Sequence, residues 1–215
     1  MTDTYRVAVR MRDVGLALLA GSTFSQSLNR IRLQKFIYLL DQIGQLLAVL
    51  PPCKSHYSFR RGPFDPYIQN AVDSLAFRGI VRITNLQKSA DGSIHAEYAL
   101  ARAGVQWAQS VASSPVIRDR WRAAQLLAPE IDRLGWGRLR ELVYAEPTYV
   151  AARPNGFGEQ LRAIEFGKPS SATIFRAISH SLRSGFERAP SVELVVELYV
   201  EYLNRYSLAE SRYTG

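Results

Sequence analysis

The sequence predicts a mainly α-helical fold with one small β-hairpin. It is arranged as a winged helix-turn-helix-like core over residues 1–114 and a helical extension over 115–215 that packs on the core. Three observations carry this. Leu33, Phe36, Ile37, Leu40, Gly44 and Leu47 recur at helical spacing and fall on one face. Asp65-Pro66 follows directly on the Gly62-Pro63 break, which places an N-cap residue and then proline at the first position of a new helix. Residues 80–86 and 93–100 alternate apolar and polar around Ala90-Asp91-Gly92, the pattern of a hairpin. Helix, helix, then hairpin is the order of a winged helix.

Taken along the chain, residues 4–20 carry Val7, Met11, Val14, Ala17 and Leu18 at helical spacing, with Gly21 expected as the C-cap. Ser27 or Asn29 caps a second helix that runs from about Asn29 to Leu47. Gln34, Lys35, Tyr38, Asp41, Gln42 and Gln45 lie opposite its apolar stripe, but Ile31, Leu39 and Leu46 lie off that stripe. The helix is therefore expected to be buried on more than one side. Gly44 on the apolar face offers close approach to another element. Pro51-Pro52 ends the helix. Residues 55–60 read as a short strand. The third helix buries Ile68, Ala71, Val72 and Leu75, and Gly79 closes it. Ala101 to Ser113 is helical. A longer helix starts at Pro115 and reaches about Leu134, with Pro129 as a kink, and a separate short helix spans Trp136 to Tyr144. Residues 147–170 read as a loop containing a short helix at 158–165. Thr173 to Leu182 and about Pro190 to Tyr206 are the last two helices.

The formal net charge is +8 and it is uneven. Residues 1–62 hold nine Lys or Arg against three Asp or Glu, while residues 191–215 hold two against four. A basic front and an acidic tail suit a polyanion, an acidic partner or self-complementary assembly, a homodimer included. Apolar residues make up 47% of the chain, enough for a core without staples, and the lone Cys53 has no disulfide mate in the chain. No apolar run reaches the roughly 18 residues of a membrane span. A cytoplasmic placement without membrane contact is expected.

Two blocks carry a family resemblance. Arg32-Leu33-Gln34-Lys35-Phe36-Ile37-Tyr38-Leu39-Leu40 resembles the LQK helix of the Panacea, SocA-like and YwgA-like proteins. Phe59-Arg60-Arg61-Gly62-Pro63-Phe64 resembles their Gly-Pro turn, and Tyr98-Ala99-Leu100-Ala101-Arg102-Ala103-Gly104 is similar to their strand-to-helix step. The order of elements is also similar to that of the small middle components of three-component ABC/SMC-like ATPase defence systems. The resemblance covers roughly residues 10–145, and the chain departs from the Panacea pattern in its extension beyond Tyr144. It implies a non-catalytic adaptor or regulatory subunit, antitoxin-like or an assembly component, in a prokaryotic conflict or anti-phage defence system. The implied partner is an ATPase, toxin or effector subunit. The alternative is a winged-helix DNA-binding regulator that mostly touches the phosphate backbone.

Arg60 and Arg61 are the foremost expected contacts, since two guanidiniums on a stiffened turn can clamp phosphates or carboxylates. One of them can instead pair with Asp65 or Asp41 and order the turn. Arg30, Arg32 and Lys35 extend the same basic surface and complete the expected sequence-independent nucleic-acid contact. The outer face of the third helix holds Gln69, Asn70, Asp73 and Phe77, a poor face for reading bases because Asp73 repels phosphate. Phe77 there reads as a protein contact. Arg118 and Arg122 are i,i+4 neighbours without an intervening acid on that side of the helix, and Glu193, Glu197 and Glu201 repeat every four residues, so these five are also expected partner contacts. His56, His95 and His180 are scattered and Cys53 stands alone, so neither metal nor cofactor is expected and no catalytic residue is assigned.

Overall fold

A computed structural model describes residues 2–23, 27–47, 55–57, 62–90, 92, 94–146, 149 and 191–213. Arg60 and Arg61, Cys53, and the helices expected at 158–165 and 173–182 lie outside them.

Helix α1 (Asp3–Gly21) is capped by Thr2, whose hydroxyl accepts from the Tyr5 N–H. Gly21 is its last helical residue rather than its cap. Ser22 takes that place, its N–H donating to Leu18 O at 3.0 Å. Strand β1 (Leu28–Asn29) follows, and the sequence reading had no strand there. Asn29 Oδ1 then accepts from the Arg32 N–H at 2.9 Å and starts α2 (Arg30–Leu47). Residues Leu33 to Ile43 of α2 are all buried, the nominally polar Gln34, Lys35, Tyr38, Asp41 and Gln42 included. The helix is thus the axis of the molecule, buried on more than one side as its off-stripe residues predict.

Helix α3 (Pro66–Phe77) starts as its Asp-Pro pair predicts. The Asp65 carboxylate accepts from the Tyr67 N–H at 2.9 Å. It ends in a paired cap in which the Ile80 N–H donates to Leu75 O and the Gly79 N–H to Ala76 O. Strands β2 (Val81–Lys88) and β3 (Ile94–Leu100) form the expected hairpin, with a bulge between Thr84 and Gln87. β1 adds to the far side of β3, giving an antiparallel three-stranded sheet of order β1-β3-β2.

Helix α4 (Arg102–Ala112) and a 3-10 turn (Pro115–Ile117) lead into α5 (Arg118–Ala145). The two helices expected between Pro115 and Tyr144 are one. Pro129 lies inside it and denies the Gln125 carbonyl its usual donor, but does not end it. Ala124, Leu127, Ala128 and Ile131 on either side of Pro129 are buried, as are Leu139, Leu142 and Val143 further on. Packing on both sides of the lost bond offsets it. Helix α6 (Val192–Tyr213) lies against α5 and α2. It buries Val195, Val196, Tyr199 and Leu203, and runs past its expected end. One hydrophobic cluster joins Val14, Phe36 and Val72 to Ala124, Leu139 and Tyr199, so the core is continuous across residue 114. Among the described residues no helix is long and apolar enough to cross a membrane.

Candidate interaction surface and its buried anchor

The turn before α3 is held by charge. Arg10 of α1 is fully buried, and its guanidinium reaches three carboxylates. Nε donates to Asp65 Oδ2 at 2.6 Å, Nη1 to Asp13 Oδ2 at 3.1 Å, and Nη2 lies 2.8 Å from Asp41 Oδ2. Nη2 also donates to Ser55 Oγ at 3.3 Å, and the Ser55 hydroxyl in turn donates a hydrogen bond to Asp65 Oδ2. Arg120 of α5 clamps Asp13 with two bonds of 2.8 and 2.9 Å and reaches Asp41 at 2.6 Å. Arg12 closes the set from the rim, 2.8 Å from Asp13. Three guanidiniums thus face three carboxylates in a neutral cluster joining α1, α2, α5, the Ser55 segment and the N-cap of α3.

This arrangement decides the ionisation of its members. Burial alone would raise the Asp13 carboxyl, but Arg120, Arg12 and Arg10 overturn that and hold it well below the usual carboxylate range. Burial likewise opposes the Asp41 anion, and Arg10 with Arg120 outweighs it. His56 Nδ1 lies 3.4 Å from Arg10 Nη2. Burial and the Arg10 charge push the imidazole down to about 4, so it is neutral. A neutral ring facing a donor accepts at Nδ1 and carries its proton on Nε2. Nε2 is buried without a hydrogen-bond partner among the described residues, and the ring stands edge-on to Tyr38, centroids 5.1 Å apart.

The two motif blocks meet at the same turn. Gln34 brackets Asp65 with its amide: Nε2 donates to Asp65 O and Oε1 accepts from the Asp65 N–H, both at 2.9 Å. Lys35 is not on the basic surface where the sequence reading puts it. It is buried, and Nζ donates to Pro63 O at 3.0 Å. Burial lowers it to about 7. The reason is packing: from Leu33 to Ile43 α2 has no free side, so a helix-spacing argument that pairs Lys35 with Arg32 cannot place it in water. Arg30 is exposed, with its guanidinium 5.6 Å above the Phe64 ring, and Arg32 is half-buried. Asp41 and Asp65, foreseen as partners for Arg60 or Arg61, are taken by Arg10 and Arg120. Gly44 allows the second: Arg120 Nη1 lies 3.3 Å from where a Cβ on Gly44 would stand.

The sequence reading missed Arg10, Asp13 and Arg120 as a set. Their signal is a charge inside an apolar stripe. Arg10 falls in line with Val14, Ala17 and Gly21, and Arg120 with Ile117, Ala124 and Leu127, all buried.

α3 and the hairpin expose several large apolar side chains. Phe77 is 94% exposed. Gln69, which could read adenine, is committed: Nε2 donates to Asp73 at 2.8 Å and Oε1 accepts from Tyr98 Oη at 3.4 Å. Ile83, Leu86 and Ile94 on the hairpin are 45%, 68% and 62% exposed. No protein-family model and no curated protein sequence matches the chain. The five remaining expected partner residues scatter. Arg118 is exposed; Arg122 and Glu193 pair with each other at 2.6 Å and tie α5 to α6. Glu197 and Glu201 are exposed on α6, and Glu201 pairs with Arg205. Among the described residues no cluster of His, Cys, Asp and Glu is arranged to hold a metal ion.

Proposed function

We propose that this chain is a non-catalytic adaptor or regulatory subunit, antitoxin-like or an assembly component, of a prokaryotic conflict or anti-phage defence system. In this reading it has a winged-helix-like core and acts by binding a partner protein through the outer face of α3. The observation that carries the protein-contact part is Phe77. A fully solvated aromatic on the outer face of α3, beside the Gln69 amide already committed to Asp73 and Tyr98, suits burial against protein and not base reading. The defence setting rests on the sequence resemblance. The buried cluster supports a rigid platform: its charged groups are enclosed and mutually paired, so they hold α3 in place without meeting a ligand.

The test is co-expression with the products of the neighbouring genes. The chain is expected to elute with one of them as a defined complex. Phe77→Glu is expected to weaken that complex by about tenfold or more, as loss of a central aromatic does, while Arg60→Ala with Arg61→Ala leaves it intact. A chain that binds none of them sinks the reading.

A second reading has its own support. The order α1-β1-α2-α3-β2-β3 with sheet order β1-β3-β2 suits a winged-helix core, and Arg30 and Arg32 stand at the start of α2. A DNA-binding regulator would then hold duplex DNA through phosphates. Salt-dependent duplex binding, lost on replacing Arg30, Arg32, Arg60 and Arg61 by alanine, would favour it over the first.

A further inference from the structure

The exposed apolar residues of the hairpin share one face. Ile83 stands directly opposite Tyr98, and Ile94 lies four residues before Tyr98, so the period of two puts all three on the same side. Asn85 has φ 51° in the bulge, and its amide donates to Glu97 on the opposite face, so Leu86 turns back to the side of Ile94. Lys88 is opposite Ile94 on that side. Arg78, exposed, stands at the base of the hairpin, whereas Arg82 pairs with Ala99 and so lies on the opposite face. The face is therefore apolar with a basic margin.

Its complement is on the same chain, on α6. Glu193, Glu197 and Glu201 form an exposed line on α6, with the part-exposed Leu194 and Leu198 alongside. Glu193 and Glu201 have Arg122 and Arg205, whereas Glu197 has no cation within ion-pair distance among the described residues. Three acids at four-residue spacing repel one another unless a cation meets them. Edge-to-edge pairing of two β2 strands is the competing mode. The bulge interrupts that edge, and Arg82 and Lys88 would meet their own copies.

We propose that the hairpin face of one copy docks on the glutamate line of α6 in a second copy, and reciprocally, as a twofold dimer. Lys88 meets Glu197, and Leu86 and Ile94 cover Leu194 and Leu198. The inference rests on the reading that this end of the molecule contacts protein. Its test uses the purified full-length chain alone and leaves Phe77 untouched, so its failure is separate from failure of partner binding.

Sedimentation of that chain at low and high salt is the measurement. A dimer that loosens with salt is expected. Leu86→Glu, Lys88→Glu and Glu197→Lys are each expected to weaken it by about tenfold or more, and Lys88→Glu with Glu197→Lys in one chain to restore it to within about threefold. All three positions are exposed, and unchanged far-ultraviolet circular dichroism separates lost docking from lost fold. A chain that stays monomeric at every concentration overturns the proposal. So does a dimer indifferent to these changes, or one lost in Lys88→Glu and not recovered in the double variant.

Discussion

A Cβ on Gly104 would overlap the main-chain oxygen of Ile80, the same oxygen that accepts from the Ala101 N–H at 2.9 Å. The first turn of α4 rests directly on the residue that opens the hairpin. No flexible side chain is there to yield, so the backbone must move. At Gly62 the constraint is double. Its φ is 90°, and a Cβ would overlap Lys35 Nζ and stand 2.9 Å from Tyr144 Cε1. Both glycines sit in blocks that the sequence reading marked by resemblance, and these contacts are the physical reason a side chain is excluded there. Gly104→Ala and Gly62→Ala are each expected to lower unfolding free energy by about 1–3 kcal/mol. Urea titration monitored by circular dichroism would check this; unchanged midpoints would mean that these close approaches carry no weight.

The segment Ser55–Tyr57 and helix α2 meet in a pair of groups that titrate far from their ordinary values. His56 is pushed down from 6.5 to about 4. Between those values the unfolded chain takes up a proton that the folded chain refuses, so stability falls as pH falls through that window. The loss approaches about 3 kcal/mol by pH 4. Asp13 and Asp41, held low by their arginines, add a loss below the ordinary carboxylate range. Lys35 is pushed down from 10.5 to about 7 by burial. From about pH 7 to 10.5 the unfolded lysine still holds its proton while the folded one has released it, so stability rises with pH there. Denaturation midpoints measured from pH 5 to 9 are expected to climb throughout. Lys35→Met is expected to flatten the climb above pH 7 while leaving the one below it. A parent protein with a flat profile would contradict the buried lysine.

At the scale of the molecule, α5 is pinned to α1 and α2 by Arg120 and shares one core with them. Removing one partner of such a buried set leaves charges without compensation. Arg120→Met is therefore expected to cost about 3–5 kcal/mol, against less than about 0.5 kcal/mol for the exposed Arg118→Ala. Because the core is continuous across residue 114, thermal unfolding is expected as one transition, seen together by tryptophan fluorescence and circular dichroism. Two separated transitions would show that residues 115–215 fold as a unit of their own.

How much of this is legible along the chain follows from the range of the interactions. Asn29, the Asp65-Pro66 start, the Gly79 stop and the hairpin at Gly92 act within a few residues, and each stands where local rules place it. The surplus of apolar residues around α2 likewise announces a helix buried on several sides. Strand β1 was not legible, since two residues make a strand only when β3 arrives to pair with them. Nor was the uninterrupted α5, whose proline is outvoted by packing from distant elements. The anchor depends most on the tertiary fold. Arg10, Asp41, Asp65 and Arg120 are far apart in sequence, and each alone resembles an ordinary surface charge. Only the packing of α1, α2 and α5 removes the water and leaves each charge no partner but the others. The same packing takes Lys35 out of the basic surface and leaves Phe77 to face solvent.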